Sequence, residues 1–151
     1  MTTYQFFKPT DLESAKSLVP ESLVIRGGVI ECKGGILVDG ELHETTIESK
    51  DGTAIYISAM AKLFSCTLKG TDILIEGTFD GVINGTGKIE FASGCVAVGV
   101  CNKGSEVYMH PLADLDDLRV KSVKAQPSIS EVKTVMNDSA VTFPNAYRTG
   151  T

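Results

Sequence analysis

The sequence predicts an all-β protein, a short three-sided right-handed parallel β-helix of about five coils. Three observations carry this. Pairs of apolar residues separated by one position recur at 36, 55, 73, 89 and 107, at intervals of 19, 18, 16 and 18. Two of these marks are near-copies, Ile36-Leu37-Val38-Asp39-Gly40 and Ile73-Leu74-Ile75-Glu76-Gly77. Of 15 Gly, 14 fall between Gly27 and Gly104, and all five Pro fall outside that stretch. Alternation with period two is the mark of a strand with one buried face. A Gly-rich, Pro-free segment suits short strands that need every backbone donor, joined by tight turns. A helical domain would lose about 1 kcal/mol for each interior Gly.

The order along the chain follows from these marks. Residues 1–20 form an N-terminal flank, with a short helix expected over Thr10 to Lys16 and Thr10 and Glu13 as its capping box. Residues 21–110 form the β-helix core. Its strand marks lie at Ile36, Ala54-Ile55-Tyr56-Ile57, Ile73, Lys88-Ile89-Glu90-Phe91 and Glu106-Val107-Tyr108-Met109. Leu42 and Ile47, Leu63 and Leu68, Phe79 and Ile83, and Val96, Val98 and Val100 are expected to line the other sides. Tyr56, Lys88 and Glu90 are expected to face water, and Gly40, Gly77, Gly81, Gly85 and Gly94 to turn corners. At one strand spacing per coil, five coils make a rod about 24 Å long. Residues 111–151 form the C-terminal part. Pro111 can open a helix with Leu112, Leu115 and Leu118 on one face, a candidate cap for the last coil. A polar tail from Lys121 follows, suited to recruiting a partner or to remaining a loose end. An antiparallel sandwich also has short strands and Gly-rich turns, but has no reason to repeat every 18 residues.

Composition narrows function. The chain has 151 residues, 42% hydrophobic and 22% charged, enough for one ordinary domain. The net charge of −5 lies wholly in the core, where 12 acidic residues face seven basic ones, and it argues against nucleic acid as a partner. No apolar run approaches the roughly 20 residues of a membrane-spanning helix. The first 17 residues carry no secretory pattern, so a cytoplasmic location is expected. Cys32, Cys66, Cys95 and Cys101 form no C-x-x-C pair and are expected to be buried thiols acting as small hydrophobes.

Enzymatic readings fare poorly. A trimeric metal site of the kind that β-helical enzymes use needs three His, and only His43 and His110 are present, 67 positions apart. Asp39, Glu76 and Asp80 could line one side of a solenoid as a carboxylate row, since the first two hold equivalent places in the repeat. Corner residues turned to solvent are the simpler expectation. No G-x-x-x-x-G-K-[ST] and no helix-opening G-x-G-x-x-G is present, so no nucleotide or other cofactor is expected.

A solenoid has two open ends, each a row of free backbone groups around an apolar cross-section, and must cap or use them. The run Gly35-Ile36-Leu37-Val38-Asp39-Gly40, the second copy at Ile73 to Gly77, Asp80-Gly81-Val82-Ile83, and Gly87 through Val100 resemble the core of bactofilins, the bacterial polymer-forming cytoskeletal proteins. The resemblance covers about 70 residues. It implies a nucleotide-independent scaffold whose cores stack through their end coils into nonpolar filaments, with Leu23, Val24 and Ile25 at one end and Val107, Tyr108 and Met109 at the other. It also implies membrane contact by an apolar-plus-basic N-terminus, here Phe6, Phe7 and Lys8, which places the protein at the inner face of the membrane. Packing of those aromatics on the first coil is the alternative. A discrete oligomeric binding module with capped ends is the alternative to a filament.

Overall fold

A computed structural model describes residues 4–122. A short helix, α1 (Pro9–Glu13), precedes the strands. The chain then winds through six turns, each adding strands parallel to those of the turn before. The first turn holds β1 (Ser17–Val19), β2 (Val24–Arg26) and β3 (Val29–Cys32), and the second β4 (Ile36–Val38), β5 (Glu41–His43) and β6 (Thr46–Ser49). In the next three turns the second and third strands fuse into one bent strand. These turns are β7 (Ile55–Ile57) with β8 (Lys62–Gly70), β9 (Ile73–Ile75) with β10 (Thr78–Gly85), and β11 (Lys88–Phe91) with β12 (Val96–Lys103). The sixth turn is β13 (Glu106–Met109) and β14 (Leu118–Ser122). The first strands of all six turns form one sheet, the front sheet; the others form a second sheet that folds around a corner, giving three sides.

Register explains the hydrophobic spacing. Ile36, Ile55, Ile73, Ile89 and Val107 lie in one inward row, and Val38, Ile57, Ile75, Phe91 and Met109 in another. On the second side Ile25, Leu42, Leu63, Phe79 and Ala97 align, and on the third Ile30, Ile47, Leu68, Ile83 and Cys101. Most of these side chains are fully buried, so the core is one continuous stack of apolar layers.

The repeated Asp-Gly and Glu-Gly have a structural cause. Turns one, three, five and six make their first corner with a four-residue β-turn, closed by Leu23 N–H to Pro20 O, Ala61 N–H to Ser58 O, Cys95 N–H to Ala92 O, and Ala113 N–H to His110 O. Turns two and four use the shorter Asp39-Gly40 and Glu76-Gly77. A side chain at Gly40 would strike the carbonyls of Pro20 and Leu23, and one at Gly77 those of Ser58 and Ala61. The motif therefore repeats every second turn.

Four expectations need correction. The solenoid starts at Ser17, because Lys16 and Ser17 N–H groups already bond Gly34 and Gly35 O, so a sixth turn is present. The helix is Pro9–Glu13, and its end is capped by the Asp11 carboxylate accepting the Lys8 N–H at 2.8 Å, with Thr10 and Glu13 playing no such part. No helix begins at Pro111. The Asp114 N–H bonds Cys95 O, and Asp114 O and Asp117 O accept from Ala97 and Gly99, so the backbone groups a helix needs are used on the turn beneath. Lastly, Ala97 and Cys101 point inward, while Val96 is 40% exposed. Residues 95–101 are apolar at both parities or lack a side chain, so alternation sets no phase; in the observed register the small Ala97 is the partner of the large Phe79.

Candidate functional site

The two ends and the front sheet hold the features that the core does not use. At the first turn, β1, β2 and β3 pair only toward the second turn among the described residues. Their open side carries half-buried Ile25 and Ile30 within the cross-section, and Leu18 (58% exposed), Val24 (48%) and Val29 (63%) around its rim, with Leu23 at the corner. Leu23, Val24 and Ile25 therefore lie where the sequence places them; Leu18 and Val29 belong to the same patch. Their signal is that they start apolar columns whose inner members are covered.

The other end differs from expectation. Met109 is inward in register yet 49% exposed, because no further strand covers it among the described residues. Val107 packs on the core from the same strand. Tyr108 faces outward on the front sheet, where the Phe6 ring meets it edge-on at 6.3 Å. Leu115 and Leu118 pack inward as part of the sixth turn, while Leu112 is exposed. The segment assigned to a cap thus extends the solenoid.

The outward column of the front sheet is Leu18, Leu37, Tyr56, Leu74, Glu90 and Tyr108. Residues 4–15 lie over it. Phe7 is buried edge-on against Tyr56 at 5.7 Å, and Leu12 and Ala15 pack into the same apolar cluster. Phe6, with the Lys88 ammonium 5.7 Å from its ring, and Phe7 pack across turns three to six rather than on the first. Lys8 is exposed. Tyr56 and Glu90 do face outward, but under this segment instead of in water.

Glu90 is 1% exposed and accepts two backbone hydrogen bonds, from Gln5 N–H at 2.7 Å and Phe6 N–H at 2.8 Å, one to each carboxylate oxygen. Glu76, at the corner after β9, accepts the Tyr4 hydroxyl at 2.9 Å. Burial pushes the Glu76 carboxyl above its ordinary value, the Glu90 charge adds to this, and the Tyr4 bond opposes it. Burial likewise raises the Tyr4 hydroxyl, helped by the two carboxylates. Sequence reasoning missed this role of Glu90. The available signal was a carboxylate in a column otherwise filled by Leu, Tyr and Leu.

Other candidate residues are not brought together. Asp39 and Glu76 occupy the same corner but two turns apart, with Ser58 between, so their backbones are about 10 Å apart rather than one strand spacing. Asp80 lies on the second side. His43 bonds Glu41 at 2.6 Å, which holds the Glu41 carboxyl below its usual range, and lies 5.3 Å from the Phe64 ring. His110 accepts the Leu112 N–H. All four cysteines are buried free thiols, as expected; burial pushes Cys95 up to about 12 and Cys101 up to about 11. Among the described residues no helix is long and apolar enough to cross a membrane.

Comparison with family models, curated proteins and solved structures finds no match for the chain.

Proposed function

We propose that this chain is a bactofilin-like scaffold that associates end to end through its terminal turns, without nucleotide, in the cytoplasm. One observation carries the reading: the first turn presents three strand edges with no outer neighbour among the described residues, ringed by Leu18, Leu23, Val24 and Val29. Free backbone edges beside exposed apolar side chains favour pairing with another chain, which adds hydrogen bonds and buries apolar surface at once. Five turns stacked in parallel on the first support the reading, since a further layer would use the same pairing. Specific membrane contact through the N-terminus would require Phe6 and Phe7 to leave the front sheet.

A second reading, a discrete dimer, is favoured by the concentration of exposed apolar residues at the first turn. Sedimentation velocity and negative-stain electron microscopy of the full chain across its soluble concentration range decide between them. Filaments lost in a Val24→Lys/Val29→Lys variant that melts like wild type support the scaffold. Uniform dimers lost in that variant support the second reading, and a monomer at every concentration overturns both.

A further inference from the structure

The geometry points to residues 4–13 being a hinged strap, latched to the solenoid by the Glu90 carboxylate and able to open while the six turns stay intact.

Two features separate the strap from the turns beneath it. Among the described residues, residues 4–15 make no backbone–backbone hydrogen bond to the solenoid; the first is Lys16 N–H to Gly34 O. Every turn of the solenoid, by contrast, is tied to its neighbour by parallel strand pairing. The polar hold on the strap is therefore carried by side chains, two bonds to Glu90 and one to Glu76. The remaining contacts are aromatic and aliphatic packing by Phe6, Phe7 and Leu12.

The latch is specific for a carboxylate. Each Glu90 oxygen receives its own backbone N–H, so both oxygens must act as acceptors. An amide at this position would keep one acceptor and turn an NH₂ group toward the other donor. The dependence is mutual. A carboxyl group that is 1% exposed in an apolar column demands hydrogen-bond partners, and the strap supplies them from its main chain. Opening gives Glu90 to water and bares Leu37, Tyr56, Leu74 and Tyr108, so the strap controls an apolar stripe along the front sheet. That stripe is separate from the terminal turns, and this inference does not rest on end-to-end association.

Hydrogen–deuterium exchange of the full chain tests it. In Glu90→Gln, amides of residues 4–13 are expected to exchange at least about tenfold faster, while β9 to β13 keep wild-type protection. A second variant, Gln5→Pro, deletes one donor from the strap side and leaves the sheet untouched. Strap opening with an intact solenoid in Gln5→Pro supports the latch even where Glu90→Gln unfolds. Unchanged strap exchange in both variants, or loss of protection in β9 to β13 in Gln5→Pro, overturns it.

Discussion

The backbone of Gly99 rests directly on that of Gly81 at the second corner, so close that a side chain on Gly99 would collide with the Gly81 carbonyl. A side chain on Gly81 would in turn strike Cys66 O, and both glycines hold positive φ, +114° at Gly99 and +146° at Gly81. Corner stacking of this kind sets how tightly the bent strands β8, β10 and β12 can nest. Gly99→Ala is expected to cost about 2–4 kcal/mol, combining backbone strain with a clash that only backbone movement relieves. Gly94→Ala is the control: its φ is +85° but nothing lies within 4 Å, so the cost should be about 1 kcal/mol. Urea denaturation of both variants gives the comparison, and equal losses would mean that the corner gives way easily.

Glu76 makes a prediction about pH. Its carboxyl is raised in the folded state, so the native protein binds more protons than the unfolded chain once pH exceeds the unfolded value. Stability from this group is present at low pH and falls as pH rises through the folded value. Glu76→Gln keeps an acceptor for the Tyr4 hydroxyl and removes the charge beside Glu90. It should stabilise by about 0.5–1 kcal/mol at pH 7, with the gain vanishing near pH 4. Thermal melts at the two pH values check this; destabilisation at pH 7 would mean that the ionised group is the one the fold needs.

The buried thiols predict slow chemistry. A thiol held at about 11 or 12 is thiolate at pH 8 far less often than a free cysteine, so Cys101 and Cys95 should alkylate at least about a hundredfold slower in the native state than in denaturant. By the same sign, stability should fall as pH rises from about 9 toward these values. Mass spectrometry after iodoacetamide labelling at pH 8 provides the readout, and rapid native labelling of either residue would contradict the packing.

Met109→Arg places a charge at the open end of an inward row. Because Met109 is half-exposed and has a strand neighbour on one side only among the described residues, melting should shift by no more than about 1 kcal/mol in stability. Association through this end should weaken measurably in sedimentation. Association identical to wild type would remove this end from the interface.

The repeat made the solenoid legible, because inward side chains stack at strand spacing and Ile36, Ile55, Ile73 and Ile89 keep one phase. Phase failed at residues 95–101, where alternation had no contrast to read. The second half of the last turn was missed because Leu112, Leu115 and Leu118 fit a helical stripe as well as they fit a corner followed by a strand; only pairing to β12 distinguishes the two. The N-terminal aromatics were expected at a membrane or on the first coil; they lie over turns three to six beside Glu90, which is 84 positions from Phe6 and leaves no local trace.

The strap also acts as a ruler. It is fixed at the first turn, where Lys16 joins Gly34, and again at the fifth, where Gln5 and Phe6 meet Glu90. The ladder of strands would accept an inserted or deleted turn, since each layer touches only its neighbours. The strap would not, because its two anchor points would move apart or together by one strand spacing, about 4.8 Å. A change in the number of turns between these two anchors is therefore compatible with the ladder but not with the closed strap.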